Sequence, residues 1–189
     1  MNRIVNGLLF VTAMFIFAAG CESNEHHHDS AKAMSTAGEM AVAELKPSKA
    51  ATTQPTNNDV TGTVTFTQAD DGVHVVAHVM GLSPGQHGFH IHEKGDLSDP
   101  GLQSVGPHYN PAHSHHGGPA TPEHHAGDFG NLTADASGHA TLEMTFKGVK
   151  LSDVVNRSVI VHAGSDDLKT DPAGNSGARV AGGVIEMKK

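Results

Sequence analysis

Seven side chains able to ligate a metal recur along the middle of this chain. They are His90 and His92 in Gly-Phe-His-Ile-His, His108 in Gly-Pro-His-Tyr-Asn-Pro, His116 in His-Gly-Gly-Pro, His125 and Asp128 in His-Ala-Gly-Asp, and His162 in Val-Ile-Val-His. Imidazole and carboxylate at this density suit borderline cations such as zinc and copper. They constrain the fold, because each appears where a strand or a turn could aim it inward. Residues two apart on a strand face the same side, so His90 and His92 can bind one ion while Ile91 faces the core. An isolated His-x-His is more often an exposed strand face. Here His108, the His125/Asp128 pair and the strand-ending His162 weigh against that.

The surrounding sequence reads as strands. Residues 41–45 form a short one, and residues 46–59, with Pro47, Pro55 and Asn57-Asn58, read as a loop. Val60, Gly62, Val64 and Phe66 alternate with threonines, Asp70-Asp71-Gly72 is a hairpin turn signal, and Val73, Val75, Ala77 and Val79 alternate again. Residues 85–93 are the next strand. Residues 94–128 are rich in Gly, Pro and His without periodicity, a length that metal coordination would order. Strands at 130–134 and 140–146 flank the turn Asp135-Ala136-Ser137-Gly138, with Ala140, Leu142, Met144 and Phe146 on one face. Residues 158–162 are a strand, 163–178 a second loop, and 179–187 the closing strand. The pattern predicts an all-β domain of about eight antiparallel strands, a sandwich or flattened barrel with two long functional loops. It shows neither an internal repeat nor an amphipathic helix.

A formal charge of −8 argues against nucleic acid as a partner. An anionic substrate would need a local positive funnel against that background. The single cysteine, Cys21, excludes an intrachain disulfide and a thiolate metal cluster. Arg3, an apolar run at 8–17 and Ala18-Ala19-Gly20-Cys21 resemble a bacterial lipoprotein signal at 1–20, with Cys21 lipidated. That predicts an extracytoplasmic protein held to a membrane through Cys21, periplasmic or on the cell envelope. Residues 21–40 read as a polar tether, followed by one domain at 41–189. His26, His27 and His28 in the tether offer a metal-gathering run, though a solvated linker is the plainer reading.

Taken in order, the segments Gly85-Gln86-His87-Gly88-Phe89-His90-Ile91-His92, Gly106-Pro107-His108-Tyr109-Asn110-Pro111, His116-Gly117-Gly118-Pro119, His125-Ala126-Gly127-Asp128-Phe129-Gly130-Asn131, Val161-His162 and Gly174-Asn175-Ser176-Gly177-Ala178-Arg179 resemble the copper/zinc superoxide dismutase family. The resemblance runs from about residue 41 to the C-terminus. It implies an immunoglobulin-like Greek-key fold of eight strands. It also implies one copper per subunit on His90, His92, His108 and His162, and one zinc on His108, His116, His125 and Asp128. His108 would bridge both ions as an imidazolate. Asp166 would join a copper ligand to a zinc ligand, and Arg179 would receive the anion. His87 matches a histidine that braces the loop. His74, His78, His113, His115, His124 and His139 are read as surface residues, and Lys169 as an exposed lysine.

The implied activity converts two superoxide radicals to oxygen and hydrogen peroxide. Its rival is an extracytoplasmic copper and zinc buffer without dismutase activity. A homodimer is compatible with the resemblance, within which dimer surfaces differ. One departure stands out: the family's usual disulfide positions here are Leu102 and Gly182. Hydrophobic packing by Leu102 and zinc binding are the two candidates to take over from that link.

Overall fold

The order of strand pairing, more than the strands themselves, positions the histidines. The computed structural model describes residues 38–50 and 59–189. The signal-like start, Cys21, His26, His27, His28 and most of the tether lie outside the described residues. The strands are β1 (Met40–Pro47), β2 (Thr61–Ala69), β3 (Gly72–Met80), β4 (Gly85–His92), β5 (Asp128–Ala134), β6 (Ala140–Lys147), β7 (Ser158–His162), β8 (Arg179–Val184) and the two-residue β9 (Glu186–Met187). Their order is β2-β3-β6-β5-β4-β7-β8-β1-β9, and β1 also pairs with β2. Eight antiparallel strands thus close into a barrel. Closure leaves its long strands without a free edge. β3 skips to β6 while β4 lies between β5 and β7, a Greek-key crossover that carries β4 to the far side of the barrel.

Alternation explains each hairpin. In β2, Val64 and Phe66 point inward, and in β3 Val73, Val75, Ala77 and Val79 do so; the intervening threonines of β2 are at least partly exposed. Asp70-Asp71 turns the chain, so that Ala69 pairs with Gly72. β4 and β7 depart from alternation, with His87 to His92 and all of β7 buried. One face of these strands meets the core and the other lies under the two long loops, which contribute His108, His116 and Asp166 against His90.

Element ends differ from the sequence expectation in instructive ways. β5 starts at Asp128 rather than residue 130, because Asp128 pairs with His90 across the ladder. The closing strand is broken at Ile185, which exchanges backbone hydrogen bonds with Arg157 and Asn156 instead of its strand neighbours. A single helical turn, α1 (Leu151–Val154), precedes β7. Two register shifts occur, between Gly88 and His90 and between Val161 and His162, and both fall where the histidines gather. Such irregularities re-aim side chains beside functional sites.

The core centres on phenylalanines. Phe129 lies 4.0 Å from Phe146, 5.4 Å from Phe89 and 6.4 Å from Phe66 by ring centroid. Phe129 follows Asp128 directly, so core packing also fixes a candidate ligand. Phe129→Ala is expected to cost about 3–5 kcal/mol in urea unfolding of the metal-free protein. A loss below about 1 kcal/mol would contradict this role.

Candidate metal centre

Three backbone hydrogen bonds bring the ligand segments together. Ile91 donates its N–H to the Gly127 carbonyl at 2.9 Å and accepts from Tyr109 N at 2.8 Å; Gly127 N donates to the Tyr109 carbonyl at 2.9 Å, closing a ring. Each corner neighbours candidate ligands in the chain: His90 and His92, His108, and Asp128. A Cβ on residue 127 would stand 2.4 Å from the Ile91 oxygen, so this approach requires glycine. Arg157 braces the Tyr109 corner. Its guanidinium lies 3.7 Å over the Tyr109 ring and donates to the carbonyls of Asp153 and Glu93.

The outcome is two buried donor sets sharing one ring. Donor atoms of His90, His92, His108 and His162 lie within 4.8 Å of one another, as do those of His108, His116, His125 and Asp128. Outward hydrogen bonds fix which nitrogens face inward. His90 Nε2 bonds Asp166 Oδ2 at 2.8 Å, His92 Nδ1 the Gly106 carbonyl at 2.8 Å, and His162 Nδ1 the Gly177 carbonyl at 3.1 Å. Those partners only accept, so these nitrogens carry the protons and the opposite nitrogens aim lone pairs at the cluster. His92 Nε2 and His162 Nε2 face each other at 3.4 Å. The His90 and His108 rings stack at 4.0 Å. His90 Nδ1, His108 Nε2 and His116 Nδ1 are buried and make no hydrogen bond. Orphaned buried nitrogens are costly, and converging lone pairs answer to a cation. A four-nitrogen set fits copper.

In the second set the Nδ1 atoms surround one carboxylate. Asp128 Oδ1 lies 2.8 Å from His108 Nδ1 and 3.2 Å from His125 Nδ1. Asp128 Oδ2 lies 3.1 Å from His116 Nδ1, in a geometry that makes no hydrogen bond. The same oxygen accepts from Gly117 N and His125 N. Three imidazoles and one carboxylate are a zinc-type donor set. Behind both sets stands Asp166, bonded to His90 through Oδ2 and to His116 through Oδ1. Asn131 fixes Asp166 from both sides, accepting from its N–H and donating to its carbonyl.

Protonation follows from this geometry. Burial drives His90 down to about 4, despite its hydrogen bond to Asp166. Burial likewise holds His92 and His162 well below the ordinary range and lowers His125. His116 goes the other way: burial lowers it, but the adjoining carboxylates of Asp128 and Asp166 prevail and raise it to about 10. Burial opposes ionisation of Asp128, yet the hydrogen bond from His108 and the adjoining His116 ring hold it well below the usual carboxylate range; His116 and His90 do the same for Asp166.

A cavity of about 430 Å³ opens onto the first set, with His92, His108, His162, Pro172 and Arg179 in its walls. Among the described residues, Arg179 is the one that lines it with a fixed positive charge. It is half-buried, and its Nη1 and Nη2 donate to the carbonyls of Leu102 and Gly106.

The remaining histidines are placed apart. His87 is buried with its Nδ1 on the His162 carbonyl. His113, His115, His78 and His139 are exposed, and His74 and His124 partly so. Lys169 is exposed and does not line the cavity. The sequence reading assigned no role to Asn131 or to Asp171, whose Oδ1 accepts the His116 N–H at 2.7 Å. The Asn in Asp-Phe-Gly-Asn was a usable signal. The carbonyls that orient His92, His162 and Arg179 leave no trace in residue type.

Neutral buried histidines make the metal-free protein acid-sensitive. Below the ordinary value of 6.5 the unfolded chain takes up protons that folded His90 refuses until about 4. His92, His162 and His125 act in the same direction. His116 is protonated in both states there; its contribution is lost only as pH rises from 6.5 towards about 10. Chelated protein is therefore expected to lose thermal stability steadily between about pH 6.5 and 4, read by calorimetry, with added zinc opposing the loss. A flat midpoint across that range would contradict the assignment.

Comparison with known proteins agrees with this geometry. Residues 60–185 match the family described as copper/zinc superoxide dismutase (SODC). A Mesembryanthemum crystallinum protein named superoxide dismutase (Cu-Zn) 2 is 43% identical over 142 residues, 70% of this chain and 90% of that protein. A Drosophila melanogaster protein named extracellular superoxide dismutase (Cu-Zn) is 46% identical over 146 residues, 71% of this chain and 80% of that protein. Among solved structures, the clock protein EA4 aligns with a TM-score of 0.69 at 39% identity, over 81% of this chain and 97% of that one. The chain belongs to the copper/zinc superoxide dismutase family, whose two metals its two buried donor sets fit.

Proposed function

We propose that the protein is a superoxide dismutase. Copper would be held by His90 Nδ1 and by Nε2 of His92, His108 and His162. Zinc would be held by Nδ1 of His108, His116 and His125 together with Asp128. The observation that carries the reading is His108, 3% exposed, with a nitrogen in each donor set. When bound, copper supplies a one-electron couple, and zinc a cation without accessible redox change. Two cations flanking one imidazole make its full deprotonation feasible near neutral pH.

The protein's own groups do the remainder. Arg179 draws superoxide into the cavity and orients it by paired N–H donors. His108 Nε2 takes up a proton in the half-reaction that releases oxygen. It passes that proton on in the half-reaction that forms hydrogen peroxide, for which solvent supplies the second proton. Asp166 keeps the His90 and His116 protons on their outward nitrogens, so that both rings keep their inward lone pairs. Gly106 O and Gly177 O do this for His92 and His162.

Export and lipid attachment belong to the same reading. Both are supported by the apolar run at 8–17 before Ala-Ala-Gly-Cys21, and export alone by the Drosophila relative's description as extracellular. The proposed division is signal 1–20, tether 21–40 and domain 41–189. Mass spectrometry of envelope-derived protein is expected to find a diacylglycerol-modified Cys21 at the mature N-terminus; an unmodified, internal Cys21 would refute the anchor.

Metal-loaded protein is expected to suppress superoxide-driven cytochrome c reduction far beyond the free-ion control. Full copper occupancy with no such gain would turn the reading to metal buffering. Arg179→Ala should lower the rate about tenfold or more and flatten its dependence on ionic strength, a steering range for which this enzyme family is itself a reference case. Metal content by elemental analysis should not change. Unaltered kinetics would remove Arg179 from the mechanism.

A further inference from the structure

A carbonyl that holds Arg179 belongs to a residue in an uncommon conformation. Leu102 has φ 60° and ψ 25°, left-handed backbone that leucine rarely adopts. Its side chain is buried, yet it lies outside the main core. It packs with Val105 and Ile160, and with Leu97 against them, as a separate apolar cluster. That cluster covers Gly182 of β8. A Cβ there would stand 2.6 Å from Ile160 Cδ1, 3.3 Å from Leu102 Cδ1 and 3.5 Å from Leu97 Cδ2. The missing side chain is thus the seat of the clasp.

β8 is also the strand that begins with Arg179. The clasp therefore ties the 102–106 loop to the strand bearing the guanidinium. With Leu102 seated, its carbonyl accepts from Arg179 Nη1 at 2.5 Å, and the Gly106 carbonyl accepts from Nη2 at 2.8 Å. The loop is pinned further by Leu102 N on the Asp99 carbonyl and Lys94 N on the Val105 carbonyl. Asp99 Oδ1 accepts from Gly101 N and Gln103 N and holds the turn closed.

We propose that Leu102 is a positioning residue: its apolar clasp over Gly182 sets the direction in which Arg179 meets an incoming small anion. The inference rests on the dismutase reading through the anion-receiving role of Arg179. An alanine at 102 keeps the carbonyl and removes the clasp, so the guanidinium keeps its charge while one of its two carbonyl acceptors is no longer held in place.

The test compares Leu102→Ala, Arg179→Ala and the double variant as metal-loaded proteins. The readouts are dismutase rate, azide affinity by visible absorption of the copper-loaded form, and metal content. Leu102→Ala is expected to lower rate and azide affinity severalfold at unchanged metal content. It should have no further effect once Arg179 is alanine, and Leu102→Met should restore both readouts. Gly182→Ala should unseat the clasp in the same way, and adding Ile160→Val, which removes the clashing Cδ1, should reseat it. Wild-type rate and azide affinity in Leu102→Ala would overturn the proposal, and so would losses that add fully to those of Arg179→Ala. If Leu102→Ala does not fold, the Gly182→Ala and Gly182→Ala/Ile160→Val pair decides alone: loss then recovery supports the clasp, and no loss refutes it. Failure of the dismutase reading would show separately, as inactive unsubstituted protein, while azide affinity still reports on the clasp.

Discussion

The ring of hydrogen bonds among Ile91, Tyr109 and Gly127 is the constraint from which the centre is built. Each bond alone is worth only about 0.5–1.5 kcal/mol net. Their force is geometric. They join a barrel strand to two stretches of irregular chain at the residues adjoining His90, His92, His108 and Asp128. Displacing one corner would strand buried amides at the other two and shift both donor sets together. The two donor sets are therefore one mechanical unit, with His108 as their shared member.

Electrostatics inside that unit is balanced by two carboxylates. Asp128 faces three Nδ1 atoms and Asp166 takes outward protons from one ring of each set. Burying so many imidazoles leaves their ring N–H groups in need of acceptors, and the pair of anions supplies them and makes the arrangement tolerable. Asn131 and Asp171 then fix the anion-bearing loop against β5 and the His116 backbone. The overall charge of −8 does not conflict with an anionic substrate, because the cavity wall carries Arg179 and no acidic residue.

Much of the barrel could be read from the chain. Period-two alternation in β2, β3 and β6 is a direct imprint of one buried and one solvated face. β4 and β7 lack that imprint, since the loops bury their second face; there the histidines themselves marked the strands. The seven ligand candidates were identifiable because imidazoles in fixed motifs are distinctive. What escaped was carried by backbone. The break at Ile185 comes from hydrogen bonds to residues 156 and 157, the aim of Arg179 from two carbonyls, and the seat of Leu102 from an absent side chain at Gly182. None of these alters a pattern of residue types.

The charge on the cavity wall bears on traffic in both directions. The cavity, about 430 Å³, has Arg179 in its wall, and that charge would favour the entry of anions. Other small anions would compete for the same guanidinium on nearly equal terms. Hydrogen peroxide, by contrast, is neutral, and the charge of Arg179 would exert no comparable pull on it. With dismutation as the reaction, the doorway behaves as a rectifier: reactant is pulled in, and product drifts out unopposed.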